Sequence, residues 1–255
     1  MPELQTINDV LDELDNIVVT TIEEDSPLGI FAYVYRRTTA KIKEGIETGR
    51  FENPERMEQF DVEFARFYID AFWRHRRGKP VSYSWEVAFD AAKRSTDDLI
   101  ILQHLLLGMN AHINLDLGIA AAEVAPGNTI FDLKHDFMLV NTLLAELVDE
   151  VQQRISRVSP LLFLLDIIGE RTDESVVNFS IDKARSCAWT VAQDLAQADE
   201  EEAQMMITEV DEEISSLGNL VAHPPGFLLK YAIWAICFFE EKNMRKVIQE
   251  LKIDL

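Results

Sequence analysis

The segment from His104 to Gly118 contains the residues whose types and spacing are best suited to chemistry. Its sequence, HLLLGMNAHINLDLG, places His112 and Asp116 four residues apart in a run that is otherwise largely apolar. On an α-helix this spacing brings both side chains to one face, where an imidazole nitrogen and a carboxylate can converge on one ion. An unpaired carboxylate is costly to bury, so Asp116 is expected to have a partner.

Further donors follow a short Pro-Gly turn, in the segment FDLKHDFMLVN. If the helices on either side of this turn form an antiparallel hairpin, His135 and Asp136 lie beside His112 and Asp116. Imidazole and carboxylate donors in such a group suit zinc, iron or manganese. The sequence therefore predicts a divalent metal site formed by His112, Asp116, His135 and Asp136.

Other polar residues are predicted to bind a ligand or to support the metal ligands. His104 precedes His112 by eight residues, roughly 12 Å along a helix, so it cannot easily share the same ion. Arg185 could neutralise a buried acid such as Asp116 or stack on Trp189. The full set of predicted ligand-binding or supporting residues is His104, Asn110, Asn114, Asn141 and Arg185.

Three functions are compatible with this cluster. The first, which we favour, is a metal- or small-ligand-binding protein, including a metal-dependent hydrolase in which a bound water is the nucleophile. The second is a non-catalytic structural or interaction protein whose His-Asp-Asn network only locks the helix packing. The third is a metal-free pocket for an apolar ligand, lined by Phe, Trp and Met. The sequence contains no GxSxG, Walker A, GxGxxG, HExxH or CxxC motif.

The charge and the cysteine content restrict partners and location. Lys and Arg number 24 against 45 Asp and Glu, which gives a net charge of −21. Such an acidic chain repels nucleic acids and anionic membrane surfaces. The two cysteines cannot form a disulfide framework, and the first residues lack the basic and apolar regions of a signal peptide. We therefore expect a cytoplasmic protein without nucleic-acid partners, and a small molecule is the favoured ligand.

The elements that position these residues are predicted to be helices throughout. Apolar residues recur at helical spacing along the chain, and Thr6, Pro27, Pro54, Ser84, Asp97 or Asp98, Asp173 and Asp199 mark helix starts. The apolar helix at about 97–123 is long enough to span a membrane, but its polar side chains favour burial in a protein core. The sequence predicts one all-α domain over residues 1–255 around this central helix, with 197–200 as the alternative domain boundary.

Several motifs resemble those of a bacterial family catalogued as a domain of unknown function. They are HxxxGxNAHINxDL from His104, HDFMLVN, ARSCAW, and FARFYIDAFWRHRRG followed by SWEVAF. The resemblance extends from about Tyr33 to Leu195. It implies an all-helical, single-domain protein and no particular activity.

The pair His112 and Asp116 also resembles the HxxxD zinc ligands of the all-helical zinc-dependent phospholipase C and nuclease group. The chain departs from that pattern because no other histidine is followed four residues later by a carboxylate. This likeness therefore implies at most one or two ions rather than a three-zinc site.

Overall fold

The regular elements of the protein are all helices over the residues that the structure, a computed structural model, describes: 4–93, 99–169 and 181–252. This confirms the predicted all-α fold. The predicted helix starts at Asp97 or Asp98 and at Asp173 lie outside the described residues. The helices are α1 Ile7–Glu23, α2 Leu28–Glu47, α3 Pro54–Arg76, α4 Tyr83–Lys93, α5 Ile101–Ala111, α6 Leu117–Val124, α7 Ile130–Val158, α8 Phe163–Gly169, α9 Ile181–Gln197, α10 Glu200–Ala222, α11 Phe227–Phe239 and α12 Met244–Leu251.

Local side-chain caps explain where several helices begin. The Thr6 hydroxyl accepts the backbone N–H of Asp9, and the Asp9 carboxylate accepts the N–H of Thr6 in return, which forms a capping box at α1. Asn53 caps α3 one residue before Pro54, and Asp199 caps α10. These three starts agree with the sequence signals.

The central helix is the predicted apolar segment, and it runs as α5, a widened turn at His112–Asp116, and α6. It contacts α2, α3, α4, α9 and α10, which surround it. The segment Ile101–Val124 is long and apolar enough to cross a membrane by length and composition, but most of it is buried inside the protein. The prediction of a buried central helix is therefore confirmed.

The widened turn is a π-helix, which the regular helical periodicity did not predict. The N–H of Leu117 donates to the carbonyl oxygen of His112, five residues earlier instead of four. A π-turn inserts one residue into an α-helix, and such turns are frequent at functional sites. Here the turn begins at His112 and ends at Asp116, so it contains both residues of the predicted pair.

Two glycines let neighbouring helices approach the central helix closely. A Cβ at Gly108 would lie 2.4 Å from Cγ of Phe31, whose ring occupies that space from α2. A Cβ at Gly118 would lie 3.0 Å from the carbonyl oxygen of Ala188 on α9. The absence of a side chain at these positions therefore sets how near α2 and α9 can lie.

The predicted hairpin between α6 and α7 is wrong over most of its length. It is α9 that lies along α6, while α7 packs mainly against α2, α9 and α12. The reason is steric. The backbone of α9 lies against Gly118, where a Cβ would be 3.0 Å from the carbonyl oxygen of Ala188, and Ala184, Ala188 and Ala192 of α9 are small and buried. The bulky residues of α7 find their contacts elsewhere in the core.

The helices α8 and α11 form a smaller apolar layer beside the main core. Leu229, Ala232 and Ile236 of α11 pack towards Leu165 of α8 and Ile100. The opposite face of α11 is exposed and largely aromatic, and it comprises Phe227, Leu228, Tyr231, Trp234, Phe238 and Phe239. The break between α11 and α12 falls at residues 240–243.

The contact between Gly108 and Phe31 predicts that Gly108→Ala destabilises the protein. Alanine raises intrinsic helix propensity by roughly 1 kcal/mol, but the overlap with Phe31 is expected to cost more, and we expect a net loss of about 1–3 kcal/mol in urea unfolding. In a Phe31→Ala background the same substitution should be neutral or stabilising. An equal loss in both backgrounds would show that the close approach is not the cause.

Candidate functional site

The predicted pair of His112 and Asp116 forms one buried hydrogen-bonded unit. The two residues are only 1% and 2% exposed, and Nδ1 of His112 lies 2.9 Å from Oδ2 of Asp116. The indole N–H of Trp85, on α4, donates to the same carboxylate oxygen at 2.9 Å. Asp116 therefore has two partners, of which the sequence indicated one.

Aromatic rings hold the imidazole of His112 in place. Its ring stacks face to face on Phe64 of α3, with centroids 3.7 Å apart and planes 5° from parallel. Tyr35 of α2 packs edge-on at 4.5 Å, and Phe31 and Tyr68 lie further out. These contacts fix the ring plane and hence the direction of its second nitrogen, Nε2.

Burial determines the protonation of the pair. It lowers the pKa of His112 well below its ordinary value, and it raises the pKa of Asp116 well above its own, with the Trp85 hydrogen bond opposing the latter shift. Both shifts favour the neutral form of each group at this buried position, in which the Asp116 carboxyl donates to Nδ1. The ring proton of the neutral imidazole is then on Nε2, which is a hydrogen-bond donor.

Nε2 of His112 is buried and has no hydrogen-bond partner. The residue lines a cavity of about 410 Å³ whose walls come from α2, α3, α5, α7, α8 and α9. Most lining residues are apolar, among them Phe60, Met109 and Val140. The cavity lining also includes exposed residues at the end of α7 and the start of α8, Gln152, Ser156 and Phe163, so the cavity reaches the surface there.

Tyr35 and Asp61 line the same cavity, and neither has a hydrogen-bond partner for its buried side-chain oxygens. Burial is the main reason that the pKa of Tyr35 lies well above its ordinary range, and the nearby carboxyl groups of Asp61 and Asp116 add to the shift. Thr39 lies close enough to oppose this shift, but the two hydroxyls do not meet the geometry of a hydrogen bond. Both hydroxyls therefore remain unsatisfied.

Asp61 differs from the other buried carboxylates of the described chain. Asp136 accepts the backbone N–H groups of Glu52 and Asn53, Asp211 accepts those at the start of α4, and Glu240 accepts that of Ile101. Each of these three acids satisfies a helix N-terminus or the loop before it. Asp61 has no such role, and burial, with a smaller contribution from Glu58, raises its pKa to about 8. It is therefore mostly protonated at neutral pH.

Arg185 is the one buried arginine among the described residues, and it also lines the cavity. Its Nε donates to Oδ1 of Asn141, and its Nη2 donates to the carbonyl oxygen of Phe137 at 2.7 Å. The guanidinium lies 4.6 Å from the centroid of the Phe137 ring. Arg185 was predicted to neutralise Asp116 or to stack on Trp189. In the structure it instead contacts Asn141 and Phe137 of α7.

The structure does not bring His135 and Asp136 to the central pair. Asp136 of α7 is fully buried against the start of α3. There Nη2 of Arg56 lies 3.5 Å from Oδ2 of Asp136. His135 is exposed on α7, next to residues such as Phe131 and Met138. Among the described residues there is no group of three or more His, Cys, Asp or Glu placed to hold a metal ion. The displacement follows from the packing of α7 away from α6.

The remaining predicted residues make contacts in other parts of the protein. Asn110 donates to the carbonyl oxygen of Ile214 on α10 at 2.9 Å, and Asn114 donates to Asn110 at 3.0 Å. His104 lies at the other end of α5, beside Lys242, where burial lowers its pKa to about 4. These three residues are not at the cavity. Asn141 does not line the cavity either, but it accepts a hydrogen bond from Arg185, which does.

Sequence reasoning missed Trp85, Tyr35 and Asp61. Trp85 precedes Asp116 by 31 residues, and only the fold shows that its indole N–H meets this carboxylate. Asp61 did have a signal, because it lies among Met57, Phe60 and Phe64 on the apolar stripe of α3. An acid at a core position needs an explanation, as Asp116 did.

The described chain is all-helical and has a largely apolar cavity between its packed helices. The model of a family of unknown function, DUF5995, matches residues 7–224, and the chain belongs to this family. No curated protein and no solved structure matches the chain. The family agrees with the resemblance drawn from the motifs. The weaker likeness to zinc-dependent phospholipase C is unsupported, since the described residues contain no group of three or more His, Cys, Asp or Glu placed to hold an ion.

The hydrogen bonds of Asp116 predict the effect of removing its carboxylate. Asp116→Leu leaves the Trp85 N–H and Nδ1 of His112 without a partner in a dry core, so we expect the free energy of unfolding to fall by about 2–5 kcal/mol. Asp116→Asn keeps an acceptor and should cost less. Chemical denaturation measures both variants. An unchanged midpoint for Asp116→Leu would contradict the coupled unit.

The raised pKa of Asp61 predicts a pH-dependent stability. The folded chain binds this proton more tightly than the unfolded chain, whose pKa is near 3.8. The resulting stability is fully present below about pH 4 and is lost as the pH rises towards 8, by up to ~1.4 kcal/mol per pH unit. Asp61→Asn should therefore have little effect near pH 4 and stabilise the protein by a few kcal/mol at pH 8. Asp12→Asn, at an exposed site on α1, is the control, and parallel pH profiles for the two variants would rule out the assignment.

Proposed function

We propose that this protein binds a small, largely apolar molecule in the cavity and meets a polar group of that molecule with His112, Tyr35 and Asp61. The observation that carries the proposal is that these three buried groups lack partners and all line one apolar cavity. Other buried polar atoms of the described chain also lack a partner, among them His104 Nδ1 and Trp189 Nε1, but only at this cavity do several such groups line one apolar space. A ligand with an oxygen acceptor would satisfy these groups.

The dimensions and the chemistry of the cavity support a ligand. Small-molecule sites have volumes of roughly 300–1,000 Å³ and are mostly apolar with a few convergent polar groups. Here Nε2 of His112 is a donor, and the Tyr35 hydroxyl and the protonated Asp61 can each donate as well. An acceptor such as a carbonyl, hydroxyl or ether oxygen therefore matches this part of the wall.

The stability of the empty protein also supports this function. An unfilled apolar cavity and an unpaired buried carboxyl both lower the stability of a fold. A residue that costs stability and lines a cavity is a candidate for a functional role. A purely structural polar network would satisfy its own members, as Asn110 and Asp136 do elsewhere in this protein.

A metal-dependent hydrolase receives less support from the geometry. His112 would need to share an ion with at least two further donors, and its Nδ1 is already used by Asp116. His135 and Asp136, the predicted partners, lie elsewhere, and the described residues offer no group of three ligands. We therefore propose binding in the cavity rather than hydrolysis at an ion.

The test of this proposal is to fill the cavity. Leu106 lines it, so Leu106→Trp should occupy the space and weaken binding of dodecanol by about tenfold or more in calorimetric titrations. Leu220→Trp, on the exposed face of α10, adds the same side chain outside the cavity and should bind as the unmodified protein does.

Two further measurements complete the experiment. Native mass spectrometry of the purified protein should detect a bound small molecule that is lost in Leu106→Trp. Dodecanol binding should persist in EDTA. Absence of any binding by the unmodified protein would overturn the proposal, and loss of binding on chelation would favour a metal at the site.

A further inference from the structure

We infer that the molecule bound in this cavity carries a carboxylate that pairs with Arg185, so that the ligand is an amphiphilic acid such as a fatty acid. This inference rests on the proposed function and adds the chemical class of the ligand. It depends on a different part of the cavity wall from the His112 group, and therefore on separate observations.

The first observation is a buried positive charge without a counter-charge. Arg185 is 3% exposed, and no carboxylate of the described chain forms an ion pair with it. Asp182, one turn earlier on α9, is exposed and raises the pKa of the arginine without pairing with it. Burial lowers the pKa of Arg185 to about 10, so the guanidinium remains charged at neutral pH.

The second observation is that the guanidinium is held in place with one edge unused. Nε and Nη2 donate to Asn141 and to the Phe137 carbonyl oxygen, and the Phe137 ring packs against the cation. Nη1 makes no hydrogen bond to a described residue. Because the side chain lines the cavity, a ligand oxygen can meet this nitrogen without displacing a protein partner.

The physical argument favours a carboxylate over a neutral group. An uncompensated charge in a low-dielectric interior is costly, and an opposite charge from the ligand removes that cost. The planar guanidinium suits a carboxylate, and charge-assisted hydrogen bonds are stronger than neutral ones. The neighbouring wall, including Val140 and Leu144, is apolar and suits an alkyl chain.

The two polar positions lie apart in the same cavity. A series of aromatic contacts connects the two positions. The ring centroids of Phe137 and Phe60 are 5.9 Å apart, and those of Phe60 and Phe64 are 6.3 Å apart. Phe64 in turn stacks on His112. A molecule with its carboxylate at Arg185 can therefore extend an apolar chain along these rings. An oxygen along that chain would then meet His112, Tyr35 and Asp61.

The test compares three ligands of one chain length, dodecanoate, methyl dodecanoate and dodecanol, by calorimetric titration of the full chain at pH 7.5. The unmodified protein should bind dodecanoate on the order of tenfold to a hundredfold more tightly than the two neutral molecules. Arg185→Met should abolish this preference, so that the variant binds the acid, the ester and the alcohol with similar affinity. Lys183→Met removes a positive charge from the exposed side of α9 and should preserve the preference.

The outcomes separate this inference from the proposed function. Equal affinity of the unmodified protein for the acid, the ester and the alcohol would overturn the carboxylate assignment and leave the cavity as the binding site. Binding of none of the three would count against both. The comparison in the unmodified protein decides the question even where Arg185→Met does not fold. A preference for the acid that survives in a folded Arg185→Met variant would place the carboxylate elsewhere.

Discussion

Burial of most of the central helix is the constraint on which the rest of the structure depends. Its buried polar groups depend on partners inside the protein, because they are shielded from water. Gln103 and Asn110 donate to carbonyl oxygens of α10, the Glu240 carboxylate receives the N–H at the start of α5, and Asp116 pairs with His112 and Trp85. The positions of α4 and α10 and of the turn before α12 follow from these bonds.

The sequence predicted the central helix and its buried His112–Asp116 pair because helical periodicity and the cost of burying a carboxylate are local arguments. It could not predict which distant backbone would satisfy Asp136, since the N–H groups that this residue accepts belong to the loop before α3. It also placed α7 beside α6 from the shortness of the connection. The close packing of α9 on Gly118 depends on side-chain size far along the chain, which no local pattern reports.

The same residue types have two kinds of role in this acidic chain. Asp136, Asp211 and Glu240 use buried carboxylates to satisfy backbone N–H groups, and the fold gains from each of them. Asp61 and Arg185 keep unused hydrogen-bonding capacity towards the cavity instead. Proteins commonly tolerate such local losses of stability where a ligand or substrate must be met. The contrast between the satisfied acids and the unsatisfied groups that line the cavity supports the proposed binding site.

The π-turn separates the His112–Asp116 pair from the parts of the central helix, α5 and α6, that pack against the surrounding helices. One inserted residue is absorbed within a single wide turn, so the residues after it stay on the helix faces that they would have in a helix one residue shorter. The packing faces of α5 and α6 do not need that residue. Its effect is confined to the segment between His112 and Asp116, where it alters how these two side chains project. The number of residues in this segment therefore sets the geometry of the His112–Asp116 pair, and a deletion of one residue there would return the turn to the regular α-helical spacing.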